Sequence, residues 1–396
     1  MKCKITDKII KPFMSFGKMP IANGFIKKEN FENEFYFNME VGFSEELSLF
    51  QLNEHPKPEA MFNEKYPFFS SSSELMKIHF KEYANYVVKK ILKPGSKLIE
   101  IGSNDGTLLK NFLDHGVECL GYEPSKNVAD TAMSNGIKTI NSFFAEKNLH
   151  LAEEYVGKTE VICASNVICH IPNLNDLIIS LDKMLSKNGV FIFEEPYLGS
   201  MFEKISYDQI YDEHIYIFSA SSVEKIFKLY DFELVDALPQ TTHGGSMRYV
   251  VKRKNKDKKS NNLIKILEKE KIEKLDSLES CIKFKKNCEL SKLQLINKIN
   301  KLKNENKSIC GYAATSKSTT ILNYCNIGSE TIQFICDTTP EKIGKFSPGM
   351  HIPIVDMNHF RKNITDAVYL FAWNHKEEIL KKESKYKIDW FSHVAL

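Results

Sequence analysis

The chain has 396 residues, 42% of them hydrophobic, and a formal net charge of +3. At roughly 100–200 residues per domain, this length predicts two or three domains, each with its own core. The small net charge and the occurrence of arginine only at 248, 253 and 361 argue against a nucleic-acid-binding surface, in which arginine is usually abundant.

The cysteine pattern points to a reducing compartment. Nine cysteines occur, and no C-x-x-C pair is among them. An odd number of thiols without paired spacing is typical of free cysteines in the cytoplasm. We recognise no cleavable hydrophobic signal, and no apolar run reaches the roughly 18 residues of a membrane span. We therefore expect a soluble, cytoplasmic protein without a nucleic-acid or membrane partner.

Residues 1–62 consist of short β-like runs separated by prolines and polar turns, which predicts a small β-rich module. In the next segment, 61–73, an aromatic cluster that includes Tyr66 is followed by four serines. Two interpretations stay open for this segment. It is either a packed loop that caps the following helix, or a lid whose hydroxyl groups face a polar ligand.

The stretch 97–109 predicts a buried strand, a turn of small residues and the start of a helix. Gly102 lacks a Cβ and lets the backbone approach a ligand, and Asn104 and Asp105 place polar groups at the carboxyl edge of the strand. The spacing of Gly102, Asn104 and Gly106 differs from the dinucleotide fingerprint. It resembles the first motif of class I S-adenosylmethionine (AdoMet) methyltransferases. The alternative is a strand-to-helix turn without a cofactor.

The second predicted strand, 118–124, contains Glu123 about 20 residues after Gly102, the spacing of a ribose-binding acid. A carboxylate at this point can accept both hydroxyls of an adenosine ribose. The alternative is a capping residue, because Pro124 begins the next helix. A third unit, 137–144, includes Phe143, whose ring could flank an adenine.

Two further strands complete the predicted doubly wound sheet. After the fourth, 161–166, Asn166 and His170 are expected beside the methionine end of the ligand, although a lone histidine after a strand is more often structural. The fifth, 189–197, ends in two carboxylates and Tyr197 at the same edge. Strands alternate with helices from 79 to 200, which is typical of a parallel sheet.

The segment 207–219 combines acids, phenols and an imidazole with apolar neighbours. Such groups are costly to desolvate unless they are paired. His214 beside Glu213 suggests a base whose pKa is tuned by a carboxylate. The alternative is a surface turn with an incidental histidine. In the segment 241–248, His243 and Arg248 flank a glycine pair, which suggests either a site for an anionic or polyhydroxyl ligand or a simple glycine turn.

Residues 253–307 have the pattern of long, solvated connecting helices. A second α/β unit begins at 308 and again shows a strand, a small-residue loop and a helix. It lacks the P-loop pattern, but free backbone N–H groups and Lys317 at the helix start could hold a phosphate. Asn374 ends a further predicted strand at 367–374. The region 308–396 is therefore predicted to be a smaller Rossmann-like module.

Several of these motifs, in this order, resemble the three-part sugar C-methyltransferases of bacteria, which act on nucleotide-linked keto-deoxysugars. The resemblance spans most of residues 60–396. The matching stretches are Glu100–Gly106, Tyr211–His214, His243–Ser246, Gly311–Thr320 and Pro348–Ile354.

The resemblance implies a division into an N-terminal module (1–62), a methyltransferase domain (63–252), a helical connector (253–307) and a C-terminal substrate domain (308–396). It implies AdoMet as the cofactor and a nucleotide-linked sugar as the substrate. We assign cofactor binding to Glu100, Gly102, Asn104, Asp105, Gly106, Glu123, Pro124, Phe143, Asn166 and His170. We assign substrate binding to Tyr197, His243, Arg248, Lys317 and Asn374.

A sugar carbon becomes a nucleophile only after it loses a proton, and a neighbouring ketone makes that proton removable. Our hypothesis is that His214 takes the proton, that Glu213 orients or charges His214, and that Tyr211 or Tyr66 donates a hydrogen bond to the enolate oxygen. Competing readings are an O- or N-methyltransferase on a related carbohydrate and a non-catalytic binding protein. The sequence leaves the nucleotide, the sugar, the methylated carbon and the oligomeric state open.

The chain departs from the family pattern at two places. Family members usually begin with a zinc module that has two cysteine pairs. Here only Cys3 remains, and Thr6, Ser44 and Leu47 stand near the other expected positions. One thiol cannot build a tetrahedral thiolate site, so we predict no metal in this module. Phe68 stands where the family often has a tyrosine, which leaves Tyr66 as the phenol of that loop.

Overall fold

The computed structural model describes residues 1–64 and 66–396 and contains three sheets. The first is an antiparallel sheet built from β1 (Pro12–Pro20), β2 (Tyr36–Ser44) and β3 (Leu49–Leu52), followed by the short helix α1 (Pro58–Met61). Its edge strand, Tyr216–Ile217, comes from much later in the chain and pairs with β3. The N-terminal module is thus bonded directly to the segment that follows His214.

The second sheet has seven strands in the order β10-β11-β8-β7-β4-β5-β6. Strands β4 to β8 are parallel, and β11 is antiparallel to both of its neighbours. The elements of this region are α2 (Glu74–Lys90), β4 (Lys97–Ile101), α3 (Thr107–Leu113), β5 (Glu118–Tyr122), α4 (Lys126–Ser134), β6 (Thr139–Ile140), β7 (Thr159–Ser165), α5 (Leu174–Met184), β8 (Leu185–Pro196), α6 (Leu198–Lys204), β9 (Tyr216–Ile217), α7 (Ala220–Lys228), β10 (Phe232–Gln240) and β11 (Ser246–Arg253).

The third sheet has five parallel strands in the order β14-β13-β12-β15-β16. Two connecting helices precede it. The elements are α8 (Asn261–Ile272), α9 (Leu278–Asn304), β12 (Ile309–Tyr312), α10 (Ser316–Cys325), β13 (Ile335–Cys336), β14 (Ile354–Val355), α11 (Met357–Lys362), β15 (Ala367–Leu370), α12 (Lys376–Lys382) and β16 (Asp389–Phe391). The predicted fold class, two Rossmann-like sheets and a β-rich N-terminal module, is confirmed.

Short 3₁₀ segments carry several of the polar residues. They are Lys28–Asn33, Ser70–Ser72, Glu146–Tyr155, Ile168–His170, Tyr207–Gln209, Thr242–Gly244 and Trp373–His375.

Local sequence explains where the elements begin. Strand β4 contains three aliphatic residues, Leu98, Ile99 and Ile101, which are almost completely buried, as expected for a central parallel strand. Helix α2 begins at an N-cap, Ser73, whose side chain accepts a hydrogen bond from the Met76 N–H. It ends with Lys89 and Lys90, whose charges complement the helix dipole.

The three sheets do not fold as isolated units. One apolar core contains Met39 of the N-terminal sheet, Phe284 of the connecting helix and Ile335 of the third sheet. The same core includes Leu198 and Met201 of α6, the helix that follows β8 of the second sheet. The carboxyl edges of the two parallel sheets face one cavity. In the part of the chain that the structure describes, no helix is both long and apolar enough to cross a membrane.

Candidate active site

The cavity between the two parallel sheets has a volume of about 870 Å³. This is within the usual range for small-molecule sites, roughly 300–1,000 Å³. Its wall includes Gly102 from the first parallel sheet, His214 from the segment after α6, and Lys317 from the second parallel sheet. Residues that are more than 200 positions apart in sequence therefore face one space.

The turn after β4 is shaped by backbone that few residue types tolerate. Gly102 has φ +63° and Asn104 has φ +49°. A Cβ on Gly102 would lie 2.5 Å from Cγ2 of Val167, so only glycine fits without a rearrangement. The Asn104 N–H donates to Oε2 of Glu123 at 2.9 Å, which ties the turn to the end of β5.

Buried polar atoms in this part of the cavity fit an adenosine-containing ligand. Among the described residues, Oε2 of Glu100, Oδ1 of Asn166 and Nε2 of His170 are buried without a hydrogen-bond partner, and all three residues line the cavity. Such orphaned groups are rare unless a ligand or water completes them. The Glu123 carboxylate and the Phe143 ring line the same wall. Burial, above all, raises the pKa of both glutamates.

Most of the predicted cofactor residues line the cavity. They are Glu100, Gly102, Asn104, Glu123, Pro124, Phe143, Asn166 and His170.

Asp105 and Gly106 do not line the cavity, and the structure gives them another role. Oδ1 of Asp105 accepts hydrogen bonds from the N–H and hydroxyl of Thr107, at 3.3 and 2.6 Å. Gly106 has φ +78°, and a Cβ there would lie 2.7 Å from Cγ1 of Ile137. These two residues therefore shape the turn and the start of α3, and the prediction that they contact the cofactor is corrected.

The aromatic and serine segment is attached to the same turn. The N–H groups of Ser70 and Ser71 donate to Oδ1 of Asn104 and Oδ2 of Asp105, both at 2.9 Å, and Nδ2 of Asn104 donates to the Phe68 carbonyl at 3.1 Å. Tyr66 lines the cavity, as do Phe68, Ser70 and Ser72. The segment therefore borders the cavity as well as supplying the N-cap of α2.

His214 is held in one tautomer by its two partners. Its Nδ1–H donates to the Gln209 carbonyl at 2.7 Å, which leaves the lone pair on Nε2. That nitrogen accepts a hydrogen bond from the Tyr211 hydroxyl at 2.8 Å. The His170 ring is stacked on His214 with centroids 5.4 Å apart. Burial, with His170 adding to it, lowers the pKa of His214 well below its usual value, so the ring is neutral and can accept a proton.

Glu213 does not bond to His214 in this structure; the Gln209 carbonyl orients the ring instead. Oε1 of Glu213 accepts a hydrogen bond from Nδ2 of Asn23 at 2.7 Å, and Oδ1 of Asp212 accepts one from the N–H of Ala22 at 2.9 Å. Burial raises the pKa of Glu213 to about 7, and burial with repulsion from Glu213 raises that of Asp212 to about 8. The orienting role predicted for Glu213 is thus corrected.

Cys169, His170 and His214 form a group of possible metal ligands in the described chain, with ligand atoms within 4.8 Å of one another. Both ring nitrogens of His214 are already hydrogen-bonded, and burial raises the pKa of the Cys169 thiol well above its usual value. The arrangement therefore suits proton transfer better than metal coordination.

The loop that contains His243 lies where the two parallel sheets meet. Nε2 of His243 accepts a hydrogen bond from Nδ2 of Asn166 at 2.9 Å, and His243 lines the cavity. The next residue, Gly244, has φ +84°, and a Cβ there would lie 2.1 Å from Cη2 of Trp373. A glycine at this position lets the loop lie directly against the C-terminal domain.

The edge of the second parallel sheet carries two cations. Nζ of Lys317 donates to Oδ1 of Asn374 at 3.3 Å, and both residues line the cavity. Nζ of Lys342 donates to the Ala314 carbonyl at 2.9 Å, and Lys342 also lines the cavity. Burial lowers the pKa of both lysines. Sequence reasoning missed Lys342, although the loop after β13 ends at the same sheet edge.

Arg248 and Tyr197 lie outside the cavity lining, contrary to the predicted substrate contacts. Strand β11 places Arg248 directly opposite Glu194 of β8, and the two side chains form a buried ion pair with Nη2 and Oε1 2.5 Å apart. Nε2 of His79 lies 2.5 Å from the same carboxylate. The Tyr197 phenol faces Glu270, which, after burial, raises its pKa. Both predictions are corrected, because cross-strand and helix contacts already engage these side chains.

Two turns of the N-terminal module have the spacing of a metal knuckle without its ligands. One runs from Cys3 to Thr6, the other from Ser44 to Leu47, and each is followed by a residue with positive φ, at 7 and 48. Cys3 is the single thiol of this set, and the Leu47 side chain cannot bind a metal. The residues present therefore do not fit a tetrahedral zinc site.

A buried amide links this region. Nε2 of Gln51 donates to the Lys2 carbonyl at 2.9 Å, and its Oε1 accepts the N–H of Lys4 at 3.1 Å. Gln51 is fully buried. Hydrogen bonds through one glutamine thus connect the N-terminal turn to β3.

Comparison with known proteins agrees with this geometry. Three family models match in chain order: a putative zinc-binding domain over residues 3–62, a methyltransferase domain over 77–237 and a C-methyltransferase C-terminal domain over 241–393. The sheet topology and the matches define the protein as a methyltransferase of class I fold. More particularly, the three matches follow one another in the order that the sequence motifs predicted for a three-part C-methyltransferase.

Among curated proteins, C-methyltransferase NovU of Streptomyces niveus is 26% identical over 377 residues, which cover 94% of this chain and 89% of NovU. Solved structures resemble it more remotely. Magnesium protoporphyrin IX methyltransferase of Synechocystis, solved with SAH, is 14% identical with a TM-score of 0.36, covering 45% of this chain and 83% of that one. A cyclopropane synthase of Mycobacterium tuberculosis is 13% identical with a TM-score of 0.35, covering 43% and 83%.

Proposed function

We propose that the protein is an AdoMet-dependent C-methyltransferase that acts on a nucleotide-linked keto-deoxysugar through an enolate, in surface-polysaccharide or natural-product sugar biosynthesis. The observation that carries the proposal is the Tyr211–His214 pair, which faces the same cavity as the Gly102 turn. NovU is described as a C-methyltransferase, which supports transfer to carbon.

The cofactor end of the cavity is the wall that the first sheet provides. Glu123 would accept the ribose hydroxyls, Phe143 would flank the adenine, and Asn166 and His170 would face the methionine end. The buried, unpartnered Oδ1 of Asn166 and Nε2 of His170 support the placement of the methionine end. When bound, AdoMet supplies an electrophilic methyl group on a positively charged sulfonium. Burial raises the pKa of Glu100 and Glu123 in the free protein, and a cation bound beside them would favour their ionised forms.

His214 is the proposed base. Its Nε2 carries the lone pair because Nδ1–H is committed to the Gln209 carbonyl. Nε2 takes a proton from the sugar carbon next to the ketone, and the electron pair left behind becomes the enolate. The hydrogen bond from Nδ1 to the carbonyl strengthens as positive charge develops on the ring.

The phenols are the proposed donors to the enolate oxygen. The Tyr211 hydroxyl occupies Nε2 of His214 in the free protein, so the sugar proton takes its place and releases the hydroxyl toward the developing oxyanion. Tyr66 lies on the same cavity wall. Burial, with Glu213 nearby, raises the pKa of both phenols, which keeps them protonated and able to donate.

The nucleotide diphosphate would bind at the edge of the second parallel sheet. Lys317, Lys342 and Asn374 line this end of the cavity, and two lysines are suited to a diphosphate. His243 lies between this end and Asn166, where it would contact the sugar. A cytoplasmic location remains part of the proposal, and its support is that all nine cysteines are unpaired.

The experiment is a mass-shift assay with keto-6-deoxyhexoses linked to dTDP, UDP, GDP and CDP. We expect one methyl group to be added to one member of the panel in the presence of AdoMet. In D₂O without AdoMet, the same sugar should exchange the hydrogen next to its ketone. Methylation of a sugar without a carbonyl, or methylation without exchange, would support O- or N-methylation instead. Absence of AdoMet binding by calorimetry would support a non-catalytic protein.

A further inference from the structure

The N-terminal module reaches into the cavity through the loop after β1. Asn23 of this loop lines the cavity and donates from Nδ2 to Oε1 of Glu213 at 2.7 Å. The preceding residue, Ala22, donates its N–H to Oδ1 of Asp212 at 2.9 Å, and its carbonyl accepts the Thr319 hydroxyl at 2.8 Å. The loop is thus fixed between the methyltransferase domain and the C-terminal domain.

The carboxylates that this loop contacts form an unusual pair. Asp212 and Glu213 are adjacent in sequence and 1% and 3% exposed. Two buried neighbouring carboxylates cannot both ionise cheaply, so the pair retains a proton near neutral pH. The groups that act on Glu213 or feel its charge are Asp212, Lys342, Tyr66, Tyr211, Cys169 and the Asn23 amide.

Nearby hydrogen-bond donors and a lysine determine which carboxyl group of the Asp212–Glu213 pair is ionised. The Asn23 amide and the Lys342 ammonium both favour the ionised form of Glu213. Oδ1 of Asp212 accepts the Ala22 N–H, whereas Oδ2 of Asp212 is buried without a partner. A proton on Oδ2 therefore requires less desolvation energy than a full negative charge on this carboxylate. The charge therefore resides on Glu213, beside the residue that takes the sugar proton.

We propose that Asn23 is a positioning residue of the active site, through which the N-terminal module keeps Glu213 ionised and fixed next to the Tyr211–His214 pair. The inference rests on the proposed function only for the reaction that it serves. The charge of Glu213 acts on the Tyr211 phenol, which donates a hydrogen bond to Nε2 of His214. An ionised Glu213 therefore stabilises the state in which the phenol keeps its proton and the positive charge stays on His214 after it takes the sugar proton. Without the amide, the proton of the pair moves toward Glu213 and this stabilisation is lost.

The test compares Asn23→Ala with Asn53→Ala. Asn53 lies in the same module, and its amide donates to Glu40. For Asn23→Ala we expect kcat to fall about 10-fold or more and the KM for AdoMet to stay within about twofold. The apparent pKa of the acidic limb in the pH profile of kcat/KM should rise by about one pH unit, because Glu213 becomes harder to ionise. Asn23→Asp should move it further.

A second measurement needs no substrate. A carboxyl whose pKa is raised by folding stabilises the fold below its unfolded pKa, and this contribution is lost as pH rises through the folded pKa, about 7 for Glu213. Asn23→Ala should raise the folded-state pKa of Glu213, so the stability of this variant should continue to decrease to a higher pH. Its melting temperature should therefore fall further below that of the wild type at pH 8 than at pH 6. Asn53→Ala should show a gap that does not change with pH.

These two measurements separate the possible failures. If no sugar nucleotide is methylated but the pH-dependent gap is present, the substrate assignment fails and the coupling of Asn23 to Glu213 stands. If Asn23→Ala behaves like Asn53→Ala, with an unshifted pH profile of kcat/KM and a difference in melting temperature that does not change with pH, Asn23 has only a structural role and the inference is overturned.

Discussion

The two parallel sheets of this protein present the same turn with opposite electrostatic character. In each, an acid at the end of the second strand accepts an N–H from the turn after the first. Glu123 accepts the Asn104 N–H at 2.9 Å, and Asp337 accepts the Ala314 N–H at 2.7 Å. Backbone topology is therefore shared, down to the hydrogen bond that fixes the turn.

The side chains around the two turns differ in charge. The first is surrounded by Glu100, Asp105 and Glu123, and the second by Lys317 and Lys342. We infer that the sheet edge determines where a ligand binds, whereas the side chains around the turn determine which ligand charge is favoured. We expect the cationic cofactor at the first edge and the anionic end of the substrate at the second, with His214 between them.

The largest effect should come from the residue between the two edges. His214→Asn keeps a polar side chain but removes the base, so we expect kcat to fall about 10²–10⁴-fold and deuterium exchange to disappear. The dissociation constant for AdoMet should not change. His150→Asn, at an exposed histidine, is the control. Turnover near wild type in His214→Asn would remove this residue from the base role.

The first edge can be tested alone with Gly102→Ala. A side chain at φ +63° costs roughly 1–2 kcal/mol, and the Cβ would also displace Val167, so AdoMet should bind at least about 10-fold more weakly by calorimetry. Gly136→Ala is a matched control, since Gly136 has φ +79° with no atom near its missing Cβ. Equal loss of AdoMet binding in both variants would show strain alone to be responsible.

Lys317→Met, at the edge of the second parallel sheet, should weaken binding of the substrate and leave binding of AdoMet unchanged. We expect the KM for the sugar nucleotide to rise about 10-fold or more, because a charged hydrogen bond contributes about 1.5–3 kcal/mol, while AdoMet binding is unchanged. Burial lowers the pKa of Lys317, so wild-type affinity should also decline at alkaline pH as this charge is lost. Lys381→Met, at an exposed position, controls for net charge. A loss of AdoMet affinity instead would contradict the division between the edges.

The smallest effect is expected for the two turns of the N-terminal module, 3–6 and 44–47, whose residues do not fit a zinc site. We expect elemental analysis to find no zinc and chelators to leave the melting temperature unchanged. Gln51→Ala should lower the free energy of unfolding by about 1–3 kcal/mol, because it removes two hydrogen bonds to the backbone of Lys2 and Lys4, each contributing about 0.5–1.5 kcal/mol. One zinc per chain, or unfolding by a chelator, would contradict the prediction.

The two strand–turn–helix units and the residues at the carboxyl edges of their strands could be predicted from the sequence alone. Buried strands, small-residue turns and the spacing from Gly102 to Glu123 are local features, and local geometry makes them readable. The placement of Gly102, Glu123 and Asn166 at one edge followed from the same rule, because the carboxyl ends of parallel strands of one sheet meet there.

Only the tertiary structure decided which distant groups meet. Asn23 bonds to Glu213 across 190 positions, and Arg248 is engaged by Glu194 because strand register places them opposite each other. Gln209, rather than the neighbouring Glu213, orients His214. These contacts depend on how the sheets and the segments between them pack together, and no short-range pattern in a single sequence encodes that packing.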